Sequence, residues 1–117
     1  MLKSVKLKDK ILEVPIIQGG MGVGISLSSL VGNVMRENCM GVLSFAHPGY
    51  SCKTFLKETS KDNFLAMKEE VDKARKISGG KGLLGVNVMV ATTEYASYVK
   101  ECVKLGVDAI ISGAGLP

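Results

Sequence analysis

Tryptophan is absent from the 117-residue chain, and other aromatics are few: three Phe and three Tyr. Surfaces that read nucleic acid by stacking interleave aromatics with cations. Lys3, Lys6, Lys8 and Lys10 supply much of the net +4 charge and have no aromatic beside them. They read as a solvated edge, and no nucleic-acid partner is expected. Histidine occurs once, at His47, and cysteine three times, at Cys39, Cys52 and Cys102, with no Cys-x-x-Cys pair. An odd, unpaired set argues against a disulfide framework and for a reducing compartment. Its spacing with His47 fits no usual zinc pattern, so no metal is expected. No apolar run approaches the about 20 residues that cross a bilayer. The lysine-rich start lacks the apolar segment of a secretory leader. These absences leave a cytoplasmic protein that handles a small molecule, with no membrane partner.

What the chain does have is apolar content and glycine. It is 46% hydrophobic with 14 glycines, too apolar for disorder. The glycines sit beside apolar runs, which predicts tight loops between regular elements. A short hairpin is expected where Val5 to Lys10 meets Ile11 to Glu13. Val14 to Gln18 reads as a buried strand. Ser26 reads as an N-cap, and Leu27, Leu30, Val31, Val34 and Met35 follow at helical spacing. Val42 to Phe45 reads as a second strand, so the pair and their helix suggest a parallel βαβ unit. The polar stretch from Ala46 to Lys61 is long enough to suggest function. Asp62 or Asn63 is expected to cap a second helix with Phe64, Met67, Val71 and Ala74 inward. Glu69–Lys73 and Asp72–Lys76 fit i,i+4 ion pairs on its wet side. Gly79 and Gly80 end it.

Leu83 to Val90 is apolar almost throughout, as in a strand buried on both faces. A third helix is expected from Glu94 to Leu105, with Tyr95, Tyr98, Val99, Cys102 and Val103 inward. Val107 to Ser112 reads as a fourth strand, followed by the turn Gly113-Ala114-Gly115. The fold class is therefore α/β with a parallel sheet. A last strand without a covering helix reads as part of a larger layer structure.

Val14-Pro15-Ile16-Ile17-Gln18-Gly19-Gly20-Met21-Gly22-Val23-Gly24-Ile25-Ser26 carries the strongest functional signal. An apolar run breaks into small residues just before a helix, the arrangement that lets a ligand approach bare backbone. It is not a dinucleotide fingerprint, because Ile25 stands where the third glycine or alanine belongs, and no acidic residue ends the second strand. It is not a P-loop, since no Gly-Lys-Ser/Thr closes it. A plain tight turn and a cofactor contact both remain open on glycine content. Asn87 interrupts an apolar strand, and a buried amide needs partners. Either a neighbouring loop or a polar ring edge could supply them. His47 could serve as a general base, yet no carboxylate partner stands near it in sequence. Ser44 and Ser112 are strand-end hydroxyls. Gln18 to Gly22, Ser44, Asn87 and the Gly113 turn all fall at the C-terminal ends of predicted parallel strands, the rim where (β/α) barrels work.

In order and spacing, "PIIQGGMGVGIS", "GVNVMVA" and "IISGAGLP" resemble the nitronate monooxygenase (2-nitropropane dioxygenase) family, to which flavin-dependent enoyl-acyl-carrier-protein reductases are similar. The likeness runs from Pro15 to Pro117. It implies the first four or so β/α units of a (β/α)8 TIM barrel, with residues 1–117 as the N-terminal part of one FMN-binding domain. It implies FMN contacts from Gly20, Met21, Gly22, Ser44, Asn87 and Gly113. The activity implied is oxidation of nitronates or nitroalkanes by oxygen, with NAD(P)H-dependent enoyl reduction as the alternative. The family's base and its phosphate loop would lie beyond Pro117, so no catalytic residue carries over. The loop around His47 departs from the family's small glycine-serine run. A reading of another class stays open: a non-catalytic structural or ligand-binding fragment whose exposed sheet edges self-associate.

Overall fold

The computed structural model describes residues 2–116. It opens with a short antiparallel hairpin, β1 (Val5–Leu7) and β2 (Lys10–Leu12). Three helix–strand units follow: α1 (Ser28–Arg36) with β3 (Met40–Ser44), α2 (Thr59–Ser78) with β4 (Leu83–Met89), and α3 (Tyr95–Lys104) with β5 (Ala109–Gly113). β3, β4 and β5 pair in parallel in that order, with Ser44 beside Asn87 and Asn87 beside Ile111. The α/β class with a small parallel sheet is thus as expected from the sequence.

Alternation along the strands sorts the two faces. Leu43, Phe45, Leu84, Val86 and Val88 join Val31, Met35, Met67, Val71, Ala74, Tyr98 and Cys102 in the main core under the helices. Met40, Val42 and Leu83 point to the other face, where Leu12 of the hairpin and Ala109 cover their lower end. Asn87 belongs to this second face.

Val14 to Gln18 departs from the expectation of a buried strand. It runs parallel beside β3 with one isolated bridge, Ile17 to Met40, and Ile16 and Ile17 are half exposed. The backbone bonds Val14 N to Asn38 O, Met40 N to Ile16 O and Gln18 N to Met40 O hold it there. Pro15 has no N–H to add to the ladder. Where the backbone leaves, the Gln18 side chain continues the pairing: its Oε1 accepts from Val42 N at 3.0 Å and its Nε2 donates to Val42 O at 3.3 Å.

Caps also differ from the sequence reading. α1 begins at Ser28, with Leu27 rather than Ser26 as its N-cap. Its first N–H is met across the fold, where Glu70 of α2 accepts from Ser28 N at 2.6 Å. The buried stripe of α1 is Ser28, Val31, Gly32 and Met35, and Leu30 faces out. Gly32 sits on this stripe because α2 crosses there: a Cβ would stand 2.7 Å from Ile77 Cβ and 2.9 Å from Ala74 O. α2 starts three residues before the expected cap at Asp62, and both Asp62 and Asn63 are buried inside the helix near its start. Its surface pair is Lys73–Glu70 at 3.9 Å, an i,i+3 contact, in place of Glu69–Lys73. Gly79 ends α2 in the left-handed conformation at φ 60°, which glycine adopts without steric cost. On α3 Tyr98 and Cys102 are buried and Tyr95 packs partly buried against the core as expected, whereas Val103 is exposed. Asp108 ties the bottom of the sheet, accepting from Leu84 N at 2.8 Å and pairing with Lys10 at 3.1 Å. No helix among the described residues is long and apolar enough to cross a membrane.

Candidate functional site

Gln18 turns its amide along β3 because the glycine loop must leave the sheet at that point. Ser26 then closes the loop on itself. Its Oγ accepts from Met21 N at 2.8 Å and from Gln18 Nε2 at 3.0 Å, and donates to Gly19 O at 3.3 Å. The hydroxyl read as a helix cap is instead the staple of residues 19–26.

This staple lays the loop on the ends of β3 and β4. A Cβ on Gly20 would stand 2.8 Å from Asn87 Cβ, 2.9 Å from Val42 Cγ1 and 3.2 Å from Leu43 O. A Cβ on Gly22 would stand 2.5 Å from Ala46 Cβ. Both glycines are therefore explained by packing of loop on strand ends. Gly113 is different: its nearest neighbour for an added Cβ is Asn87 Oδ1 at 3.9 Å, an ordinary contact with room to spare. Asn87 thus lies between Gly20 and Gly113, and the two glycine turns converge on one rim of the sheet.

Among the described residues the Asn87 amide has no hydrogen-bond partner, and the residue is half-buried. All buried side-chain nitrogens and oxygens of the described residues have partners, so the Asn87 amide keeps access to solvent. Ser44 neighbours Asn87 in register but is buried, and its Oγ accepts from Ala46 N at 3.2 Å. It shapes the turn after β3 rather than facing a ligand. Met21 is exposed at the loop tip. Ser112 faces the helix side, where its Oγ bonds the Tyr95 hydroxyl at 2.7 Å. Of the six predicted contacts, Gly20, Asn87 and Gly113 form one cluster. Gly22 supports it from below, Ser44 lies behind it and Met21 stands at its edge. Gln18 and Ser26 hold the arrangement. Their part was hidden in sequence because it depends on the loop folding back.

Comparison with protein-family models and with curated proteins returns no match. One carboxamide between two bare backbone stretches offers a donor and an acceptor side by side, without charge. That suits the edge of a flat heterocycle carrying alternating N–H and C=O groups. None of Gln18, Gly20, Gly22, Ser44, Asn87 and Gly113 is cationic.

His47 lies across the strand ends from this cluster. It is held at φ 54°, a left-handed conformation that costs a non-glycine residue about 1–2 kcal/mol. Its N–H donates to Phe45 O, its carbonyl accepts from Tyr50 N, and its ring meets Phe55 edge-on at 5.4 Å. Asn63 anchors the same loop: Gly49 N donates to its Oδ1 at 3.0 Å, and its Nδ2 donates to the Tyr98 hydroxyl at 3.1 Å. Thr54 donates to Asp62 Oδ2 at 2.7 Å. Burial pushes the Cys102 thiol up from 9.0 to about 12, with the charge of Glu101 adding to the effect. That thiol sits in the core and is no nucleophile. Among the described residues no group of three His, Cys, Asp or Glu side chains could hold a metal.

Proposed function

We propose that this chain is the cofactor-contacting N-terminal part of a (β/α)8 barrel that uses FMN to oxidise nitronates or nitroalkanes with oxygen. The observation that supports the reading is the unpartnered Asn87 amide between Gly20 and Gly113 at the C-terminal rim of a parallel sheet. This is the rim where barrel enzymes place their chemistry. The cluster fits the pyrimidine edge of a flavin ring: Asn87 would donate to a ring carbonyl and accept from a ring N–H. Gly113 leaves space for the ring face, where a side chain at that position would stand in its way. The Gln18–Ser26 staple holds the loop against the sheet, so Asn87 is positioned before any ligand arrives. When bound, the flavin supplies two-electron redox chemistry; the chain supplies orientation.

Titration of the chain with riboflavin and with FMN, read by flavin fluorescence, tests this. Saturable quenching by both is expected, because the cluster addresses the ring. Asn87→Leu removes the paired hydrogen bonds and should weaken binding about tenfold, the equivalent of roughly 1.4 kcal/mol. Absence of binding by both flavins, or equal binding by the variant, overturns the proposal. With flavin bound, anaerobic bleaching by a nitronate and recovery in air are expected. Bleaching by NADPH instead would assign the enoyl-reductase chemistry to the same rim.

A further inference from the structure

A cavity of about 320 Å³ opens between the loop after β3, the start of α2 and the turn after β4. It contains none of the six residues assigned to the flavin, and it lies on the helix side of the strand ends. Its floor is apolar and rigid. Phe45 and Tyr98 stack at 4.1 Å with planes 10° apart, and Phe64 meets both edge-on. The rim is polar, with the hydroxyls of Thr59, Ser60, Thr92 and Thr93, the Glu94 carboxylate and His47.

The orientation of His47 follows from its neighbours. A backbone N–H can only donate, so the Gly49 contact fixes which atom of the Asn63 amide is oxygen. The amide nitrogen must then face Tyr98 and His47, and it lies 3.5 Å from His47 Nδ1, at the outer limit of a hydrogen bond. Nδ1 is the acceptor of that pair. That contact is compatible with the tautomer that carries the proton on Nε2. The imidazole is a donor held in place by Asn63, by Phe55 and by the bonds that fix its backbone.

We infer that this cavity binds a small neutral molecule with an apolar body and an acceptor oxygen, of the ketone class. The body rests on the Phe45–Tyr98 floor, and the oxygen accepts from His47 Nε2–H and from the Ser60 or Thr93 hydroxyl, since Thr59 and Thr92 already donate to the carbonyls of Phe55 and Met89. Charge sets the class. The lining carries one carboxylate and no Lys or Arg, so an anion of the same shape finds no cationic side chain there. The volume is at the lower end of the range for ligand pockets, about 300–1,000 Å³, which restricts the guest to a small ring or short chain. This site does not rest on the flavin reading and is tested without flavin.

His47 is the single histidine, so its ring resonances are unambiguous in a long-range ¹H–¹⁵N spectrum of the full chain. In the free protein Nδ1 should show the shift of an unprotonated nitrogen and Nε2 that of a protonated one. Cyclohexanone should move the Nε2 and Tyr98 signals saturably, and cyclohexanecarboxylate should bind at least tenfold more weakly. His47→Gly keeps the left-handed backbone without strain and removes the donor. It should cut cyclohexanone affinity at least tenfold while the dispersed amide spectrum persists. Glu94→Gln should narrow the gap between ketone and carboxylate. The opposite tautomer, no saturable shift with cyclohexanone, or carboxylate binding as tight as the ketone would each overturn the assignment.

Discussion

Gly20 and Gly113 flank the same amide but differ in surroundings, and alanine at each position separates packing from ligand contact. Neither has a left-handed backbone, so the added methyl acts by volume alone. At Gly20 it would stand 2.8 Å from Asn87 Cβ, 2.9 Å from Val42 Cγ1 and 3.2 Å from the Leu43 carbonyl. Val42 is fully buried and the carbonyl belongs to the ladder, so neither yields easily. Overpacking of this kind costs about 1–3 kcal/mol, against which the lower entropy of alanine in the unfolded chain returns about 0.4–1 kcal/mol. Gly20→Ala should therefore lose up to about 2.6 kcal/mol, with the centre of the range near about 1.3 kcal/mol. At Gly113 the nearest atom would be 3.9 Å away, so Gly113→Ala should be neutral or gain up to about 1 kcal/mol. Its methyl would stand beside Asn87 Oδ1 and should still weaken riboflavin about tenfold. Urea unfolding followed by circular dichroism gives both midpoints, and unchanged slopes show that the unfolded state is the same. A stable Gly20→Ala, or a Gly113→Ala that loses more than about 1 kcal/mol, would refute the packing argument.

Asn63→Ala strands the buried Gly49 N–H and removes the bond to Tyr98. A loss of about 2–4 kcal/mol is expected in the same urea assay, and a loss under about 1 kcal/mol would show that water replaces the side chain. Thiol labelling of the native chain at pH 8 should modify Cys52 rapidly and leave Cys39 and Cys102 protected until unfolding. The Cys102 thiol, raised from 9.0 to about 12, keeps its proton in the folded state while the unfolded chain begins to lose it. Its contribution to stability is full below pH 9 and falls as pH climbs toward about 12. Unfolding midpoints of the native chain and Cys102→Ala should converge across that range, and parallel curves would contradict the burial argument.

The helices and the parallel order were legible because their signals are local: periodic apolar residues, Gly79 after α2, continuous apolarity in β4. The rim was legible too, since consecutive parallel strands with intervening helices end on one side. What stayed hidden was long-range. Ser26 resembles a cap in sequence, yet Glu70 from another helix takes that duty and frees the hydroxyl for residues 18–21. Asn63 looked like a helix start, but its partners, Gly49 and Tyr98, lie 14 residues before and 35 after it. The exposure of Ile16 and Ile17 was unreadable because apolar pattern reports the preference of a side chain and not whether a neighbour covers it.

Gln18 finishes a ladder with a side chain where backbone would ordinarily do so. A rotamer can be exchanged without unfolding a strand, whereas a peptide group cannot. Residues 14–18 are consequently attached at their far end by a latch, and amide hydrogens just beyond that latch should exchange with solvent before those of β3.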